Sequence, residues 1–135
     1  MSCKTIIPFL PTQTVSGNGL PGAAEVVTLF NSVVAFNKKS MQNAASHYWF
    51  TYAILANANA TGNSVTAQYS NDGGTTWNEF YASATNEPVG DGTTYIDEIF
   101  IGPFQDIRVL FNNGAAAQTA FLVNMSLDAS ERVHA

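Results

Sequence analysis

The sequence predicts an all-β protein, an antiparallel β-sandwich of jelly-roll or immunoglobulin-like form with an extended N-terminal arm. Three observations predict it. The apolar runs beyond residue 22 are short and rich in β-branched and aromatic residues, which fit a pleated, half-buried surface. Clusters of Asn, Gly, Asp and Ser, the residues of tight turns, separate these runs at fairly even intervals. Strand-like runs do not alternate with helical ones, and seven to nine strands in so short a chain suit two packed sheets; a closed barrel is the competing all-β architecture.

Each element has its own argument. Residues 1–22 carry Pro8, Pro11, Pro21, Gly17, Gly19 and Gly22, and a residue that precedes proline is pushed toward extended conformations. This is the arm. Its apolar residues Ile6, Ile7, Phe9 and Leu10 are too few for a core of their own, so they are expected to pack on the body or on a neighbouring subunit. Residues 23–130 form the sandwich domain and the polar residues 131–135 a tail. From Ala24 to Phe36 the valines Val26, Val27, Val33 and Val34 disfavour a helix, and one or two strands are expected, interrupted near Asn31 and Ser32. Lys38, Lys39 and Ser40 then make a polar break.

From Ser46 to Leu55 the large apolar set Tyr48, Phe50, Tyr52 and Ile54 alternates with His47, Trp49, Thr51, Ala53 and Leu55, so the first set is assigned to the core. Asn57 to Asn63 reads as a turn, and Ser64 to Ser70 as a half-buried strand with Val65, Ala67 and Tyr69 inward. Trp77 to Ala84 is the next strand and Thr85 to Gly92 a loop. Thr93 to Ile101 sets Tyr95, Ile99 and Ile101 against Ile96 and Phe100, so both faces are expected to be covered. After the corner at Gly102 and Pro103, Asp106 to Asn112 offers Ile107, Val109 and Phe111 to the core. Asn113–Gly114 is the dipeptide of a tight hairpin, leading to a last strand from Ala117 to about Leu127.

Composition narrows function. The chain has 135 residues, 11% charged and 12% aromatic, with ten acidic against five basic groups and a net charge of -5. So low a charged fraction with so many aromatics excludes disorder and a coiled coil, and the acidic balance repels phosphate, which excludes a polybasic nucleic-acid binder. Cys3 is the single cysteine, so no intrachain disulfide and no multi-cysteine zinc site is available. Residues 1–10 lack the apolar length and cleavage site of a secretory signal, and the longest nearly apolar run, Tyr48 to Ala56, falls well short of the ~18 residues of a membrane span. Neither a nucleic-acid nor a membrane partner is expected.

The sharpest motif is Ser70-Asn71-Asp72-Gly73-Gly74-Thr75-Thr76-Trp77. In such a segment the Asp side chain accepts backbone N–H bonds, the glycines permit the turn's unusual φ, and the Trp covers the hairpin base. Over these eight positions the chain resembles the Asp-box of sialidases and related propellers. In that family the box lies away from the active site, so the resemblance carries no catalytic residue to Ser70, Asp72, Gly74, Thr76 or Trp77; it implies a structural hairpin. One box in so short a chain cannot make a propeller.

No other constellation carries chemistry. His47 and His134 are the only histidines, far apart and without a ligand-spaced partner, so no metal is expected. Asp91 and Asp72 read as turn residues, since EF-hand spacing is absent. Asp97 and Glu98 are adjacent on a strand and point to opposite faces, which prevents a convergent acid–base pair, and both read as surface charges. Arg108, inside an apolar strand, has three readings: a cross-sheet pair with Glu98 or Asp97, a solvent-facing charge, or an intersubunit ion pair. Sequons at Asn59 and Asn124 lack an accompanying secretory signal and read as chance. No catalytic residue and no cofactor is assigned, and the protein is expected not to be an enzyme.

What remains is a surface built from Ala, Thr, Ser, Asn and Gln, whose side chains lose little entropy when ordered at an interface. The punctuated arm before Gly22, the Tyr69–Trp77 hairpin, and the closing strands Asp106-Ile107-Arg108-Val109 and Phe121-Leu122-Val123 together resemble the head decoration, or cement, proteins of tailed bacteriophages. The resemblance implies a non-enzymatic virion protein on the outer capsid surface, commonly a homotrimer, that binds the major capsid protein and clamps adjacent capsomers. Ile6, Ile7, Phe9 and Leu10 are the interface residues this reading assigns. The competing reading is a carbohydrate- or receptor-binding module of a phage tail or fibre, with Trp49, Trp77 or Tyr81 stacking on sugar rings.

Overall fold

The structure is a computed structural model that describes residues 12–15, 20–36, 47–58 and 61–130. Among the described residues, eight antiparallel strands form two four-stranded sheets. Sheet I has the order β1 (Thr12–Val15), β8 (Phe121–Ser130), β3 (His47–Ala56), β6 (Thr94–Ile101), and sheet II the order β2 (Val26–Asn31), β7 (Asp106–Asn112), β4 (Ser64–Ser70), β5 (Asn78–Ala82). Only β4 and β5 follow one another within a sheet; every other link crosses between the sheets. This is the strand order of an eight-stranded jelly roll, which decides between the two expected forms of the sandwich.

The core forms where the two-residue periods of both sheets meet. Phe50, Tyr52 and Ile54 of β3, Ile99 and Ile101 of β6 and Val123, Met125 and Leu127 of β8 are buried against Val65 and Ala67 of β4 and Ile107, Val109 and Phe111 of β7. Rings join the sheets directly, Phe30 to Phe50 with centroids 5.6 Å apart and Phe111 to Phe121 at 4.8 Å. On β2 the register shifts between Thr28 and Phe30, a bulge that turns the consecutive residues Leu29 and Phe30 both inward.

Four findings modify the expectations. Asn31 and Ser32 do interrupt the valine-rich run, but the second half of that run is a single helical turn, α1 (Ser32–Ala35), capped by the Asn31 side chain, which accepts the Val33 N–H at 3.0 Å. Ser32 is wholly buried; its hydroxyl donates to Asp106 Oδ1 at 2.8 Å and accepts the Ile107 N–H at 2.9 Å. Within the leading segment, Thr12–Val15 is β1, paired with β8 from Thr12↔Asn124 to Val15↔Phe121. The interface residues Ile6, Ile7, Phe9 and Leu10, and the tail 131–135, lie outside the described residues. The outer side of β6 is uncovered within the described residues, with Ile96 67% and Phe100 48% exposed, because no described element packs over the outer side of sheet I.

The fourth finding corrects the hairpin expected at Asn113–Gly114. β7 and β8 lie in different sheets, and residues 113–120 cross between them. The dipeptide serves a buried polar hub instead. Asn113 Nδ2 donates to the Gly22 carbonyl at 2.7 Å and the Ala116 carbonyl at 2.9 Å, and its Oδ1 accepts from Gln118 Nε2 at 2.8 Å. Gln118 Oε1 accepts the Asn57 and Ala58 N–H groups, and the Gly114 N–H reaches Asn63 Oδ1 at 2.8 Å. Asn63 Nδ2 in turn holds the Pro88 carbonyl at 2.9 Å. Three buried amides therefore bond backbone groups in each of the four links that meet at this end of the sandwich: β1–β2, β3–β4, β5–β6 and β7–β8.

Candidate functional site

Three side-chain constellations stand out, and the first is the hairpin between β4 and β5. Ser70, fully buried, donates from Oγ to Asp72 Oδ1 at 2.7 Å and accepts the Gly74 N–H at 2.9 Å. Asp72 Oδ1 also accepts the N–H groups of Thr75 at 3.0 Å and Thr76 at 2.8 Å. The Thr76 N–H, followed by the Ser70 hydroxyl, holds the Asp72 carboxyl down to about 2 from an ordinary 3.8. Gly74 has φ +93°, and a Cβ there would lie 3.1 Å from Val33 Cγ2, so both backbone angle and space favour glycine. Trp77 packs over this turn, and the Arg108 guanidinium lies 4.6 Å above its ring. Arg108 Nε donates to Gln68 Oε1 at 2.6 Å. Asp97 and Glu98 belong to β6 of sheet I and Arg108 to β7 of sheet II, so the cross-sheet ion pair does not form.

The second constellation closes the seam between edge strands β5 and β6. Tyr81 donates to Asp97 Oδ2 at 2.7 Å and Tyr95 to the same oxygen at 3.2 Å. With the Tyr81 proton committed to Asp97, Tyr52 is the donor in the 2.9 Å bond between the Tyr52 and Tyr81 hydroxyls. Burial pushes the Tyr81 phenol up to about 12, and burial raises those of Tyr52 and Tyr95 as well, so all three remain neutral donors. Asp97 Oδ1 takes the Glu98 N–H at 2.8 Å, which satisfies a donor on the strand that ends sheet I. Asp97 and Glu98 do point to opposite faces, but only Glu98 is a surface charge; Asp97 turns inward to the tyrosine hydroxyls, which corrects its expected exposure.

The third constellation is the outer face of sheet I. Trp49 is 39% exposed and packs on Phe100 with ring centroids 4.8 Å apart, and Phe100 stacks on His47 at 5.3 Å. The ladder puts Asp128 opposite Trp49 on β8 and Phe100 opposite it on β6. The next outward row is Ser126, Thr51 and Glu98, and the one after it Asn124, Ala53 and Ile96. An open depression of about 330 Å³ runs along the β3–β8 rows, lined by Thr51, Ala53, Asn124 and Ser126 beside the Tyr52 and Met125 positions. Sequence reading placed Phe100 and Ile96 on the correct side of β6 but treated that side as covered. The signal it passed over is that Trp49 and Phe100 share the outward set of two strands that each contribute their inward set to the core.

Of the three aromatic residues named for sugar stacking, Trp77 is engaged by Arg108 and its own turn and Tyr81 by Tyr52 and Asp97, which leaves Trp49. Asp91 Oδ1 accepts from the Thr93 N–H and hydroxyl, an Asx turn that lowers its carboxyl. Among the described residues no three His, Cys, Asp or Glu side chains gather as a metal site, and no helix is long and apolar enough to cross a membrane. Cys3, His134 and Asn59 lie outside the described residues.

No family model and no curated protein matches the sequence. Among solved structures, the chain is similar to the PBSX exported protein XepA, with a TM-score of 0.62 and 15% identity over 92% of this chain. The match covers 39% of that protein, so this chain spans about two fifths of its neighbour's length. At this identity the two chains share a fold.

Proposed function

We propose that this chain is a non-enzymatic structural protein of a phage-derived particle, which docks on the outer capsid surface and stabilises contacts between capsomers. The observation that carries the reading is β1. Thr12–Val15 pairs along one edge of sheet I, so the apolar residues Ile6, Ile7, Phe9 and Leu10 directly precede a segment anchored on the sandwich rim. A short segment anchored at a rim can give its preceding apolar residues to a neighbouring subunit and add contact area that a small body lacks. The likeness to an exported protein of the phage PBSX supports a phage origin. The major capsid protein is the partner and a homotrimer the working form under this reading.

Capsids purified from the encoding phage, mixed with the protein and sedimented, provide the test. The full chain co-sediments, whereas a variant lacking Met1–Pro11 keeps its circular dichroism and loses occupancy. Failure of the full chain to co-sediment overturns the proposal, and equal occupancy of the truncated chain overturns the role of the leading residues. The second reading, a carbohydrate- or receptor-binding module, is favoured by one observation, the exposure of Trp49 on the outer face of sheet I.

A further inference from the structure

We infer that the outer face of sheet I carries a binding site for an uncharged glycan, with Trp49 as its stacking platform and Asp128, Glu98, Thr51, Ser126 and Asn124 as its polar rim. A pyranose has an apolar face of C–H groups and an equator of hydroxyls, so its site needs an exposed ring with hydrogen-bonding groups beside it. Trp49 supplies the ring, held in place from one side by Phe100 at 4.8 Å. Asp128 stands directly across the ladder from Trp49, a pairing that places the two Cβ atoms about 4.5–5.5 Å apart, so the carboxylate borders the ring. Successive outward residues on a strand are about 6.7 Å apart. The row of Ser126, Thr51 and Glu98 therefore lies one sugar-sized step from the ring, and the depression at Thr51, Ala53, Asn124 and Ser126 continues the same line.

Charge and layout select this occupant over others. The charged side chains of the three outward rows from Trp49 to Ala53 are Glu98 and Asp128, and the one lysine or arginine among the described residues, Arg108, sits on sheet II over Trp77. Among the described residues, such a face offers acceptors to hydroxyls and presents no lysine or arginine to a uronate, sialate or phosphate group. A protein partner fits it less well. The core of a protein interface is contiguous and depleted of charge, whereas here the polar row containing Glu98 separates the aromatic pair from Ile96. The site rests on the carbohydrate-binding reading above and narrows it to neutral sugars, and it is independent of the leading residues and of particle docking.

The test is an array of neutral hexose oligosaccharides and uronic-acid oligosaccharides, followed by fluorescence titration of the neutral hits. The full chain is expected to bind neutral spots, with little dependence on salt. Trp49→Ala should weaken binding roughly tenfold or more, as truncation of a central aromatic anchor does. Trp49 contributes its side chain to the outer face, so the fold is expected to persist; Asp128→Asn, which leaves the ring in place, provides a second variant and should weaken binding by roughly tenfold through loss of a charged acceptor. Absence of signal on every neutral spot, preference for the acidic oligosaccharides, or equal affinity of both variants and the parent would each overturn the site. Capsid co-sedimentation of the same variants should be unchanged, which separates failure of this site from failure of the docking proposal.

Discussion

The two sheets bury their inner faces alike and finish their outer faces differently. On sheet II the outward groups bond to one another. Asn112 Nδ2 reaches Ser64 Oγ at 3.2 Å and Thr66 Oγ1 at 3.1 Å, and Arg108 is held between Gln68 and the Trp77 ring. On sheet I the outward rows expose Trp49, Phe100 and Ile96 beside carboxylates and hydroxyls. The alternation of a strand dictates which side chains leave the core, and it is silent on what the outside is for. Among the described residues, polar groups on the sheet II outer face bond one another, whereas the sheet I face exposes aromatic surface next to carboxylates and hydroxyls, the arrangement on which the proposed glycan site is built.

The comparison breaks most sharply within β3, where neighbouring residues face opposite ways. Phe50 is fully buried and touches Phe30 of sheet II. Phe50→Ala is expected to cost about 3–5 kcal/mol, through lost transfer energy and the cavity left behind. Trp49→Ala, one residue away, removes a larger side chain that is 39% exposed and is expected to cost less, about 1–2 kcal/mol, because it leaves no closed cavity in the core. Urea unfolding of both variants checks this; similar midpoints would mean that the outer face contributes to the fold and is not reserved for binding.

A smaller effect distinguishes the outer faces themselves. Asn112→Ala on sheet II removes the donor that joins Ser64 and Thr66 and is expected to destabilise by about 1 kcal/mol. Ile96→Thr on sheet I alters a side chain that is 67% exposed and should stay within about 0.5 kcal/mol of the parent. If the sheet I change proves the costlier one, that face is already covered in the folded chain.

How much of this was legible in the sequence depended on whether local pattern and tertiary context agreed. The inward set of β3, from Tyr48 to Ile54, and that of β7, from Ile107 to Phe111, obey a two-residue period, and all seven are buried. The Ser70–Trp77 hairpin is local chemistry, closed by hydrogen bonds within the eight-residue motif, and it folds as its residues dictate. The dipeptide Asn113–Gly114 has the same local signature, yet its side chain is recruited by Gly22, Ala116 and Gln118, partners that no local pattern reveals. α1 was hidden because Val33 and Val34 disfavour helix on their own; the Asn31 cap and the buried Ser32–Asp106 bond offset that preference. The open face of sheet I was hidden because periodicity assigns Ile96 and Phe100 to a side without saying what packs there.

The smallest expected effect lies in the acid response of the sheet II hairpin. Asp72 is depressed to about 2 in the folded chain from 3.8, because its carboxylate accepts the Thr75 and Thr76 N–H groups and the Ser70 hydroxyl. A carboxyl with a lowered folded-state value binds its proton more readily when unfolded, so its contribution is fully present above the unfolded value and disappears as pH falls through the folded one. Hairpin stability should therefore fall with acidification between about 4 and about 2. Asp72→Asn keeps an acceptor oxygen in the turn but no longer titrates, so it should flatten that part of the profile while leaving the neutral-pH fold in place. Part of the acid response should survive, because Asp91 is also lowered, by its bonds to Thr93 near the start of β6. Amide exchange at Thr75 and Thr76, tracked across this range, reads the hairpin directly. Identical pH profiles in parent and variant would mean that the carboxylate holds the turn by shape, with its charge contributing nothing.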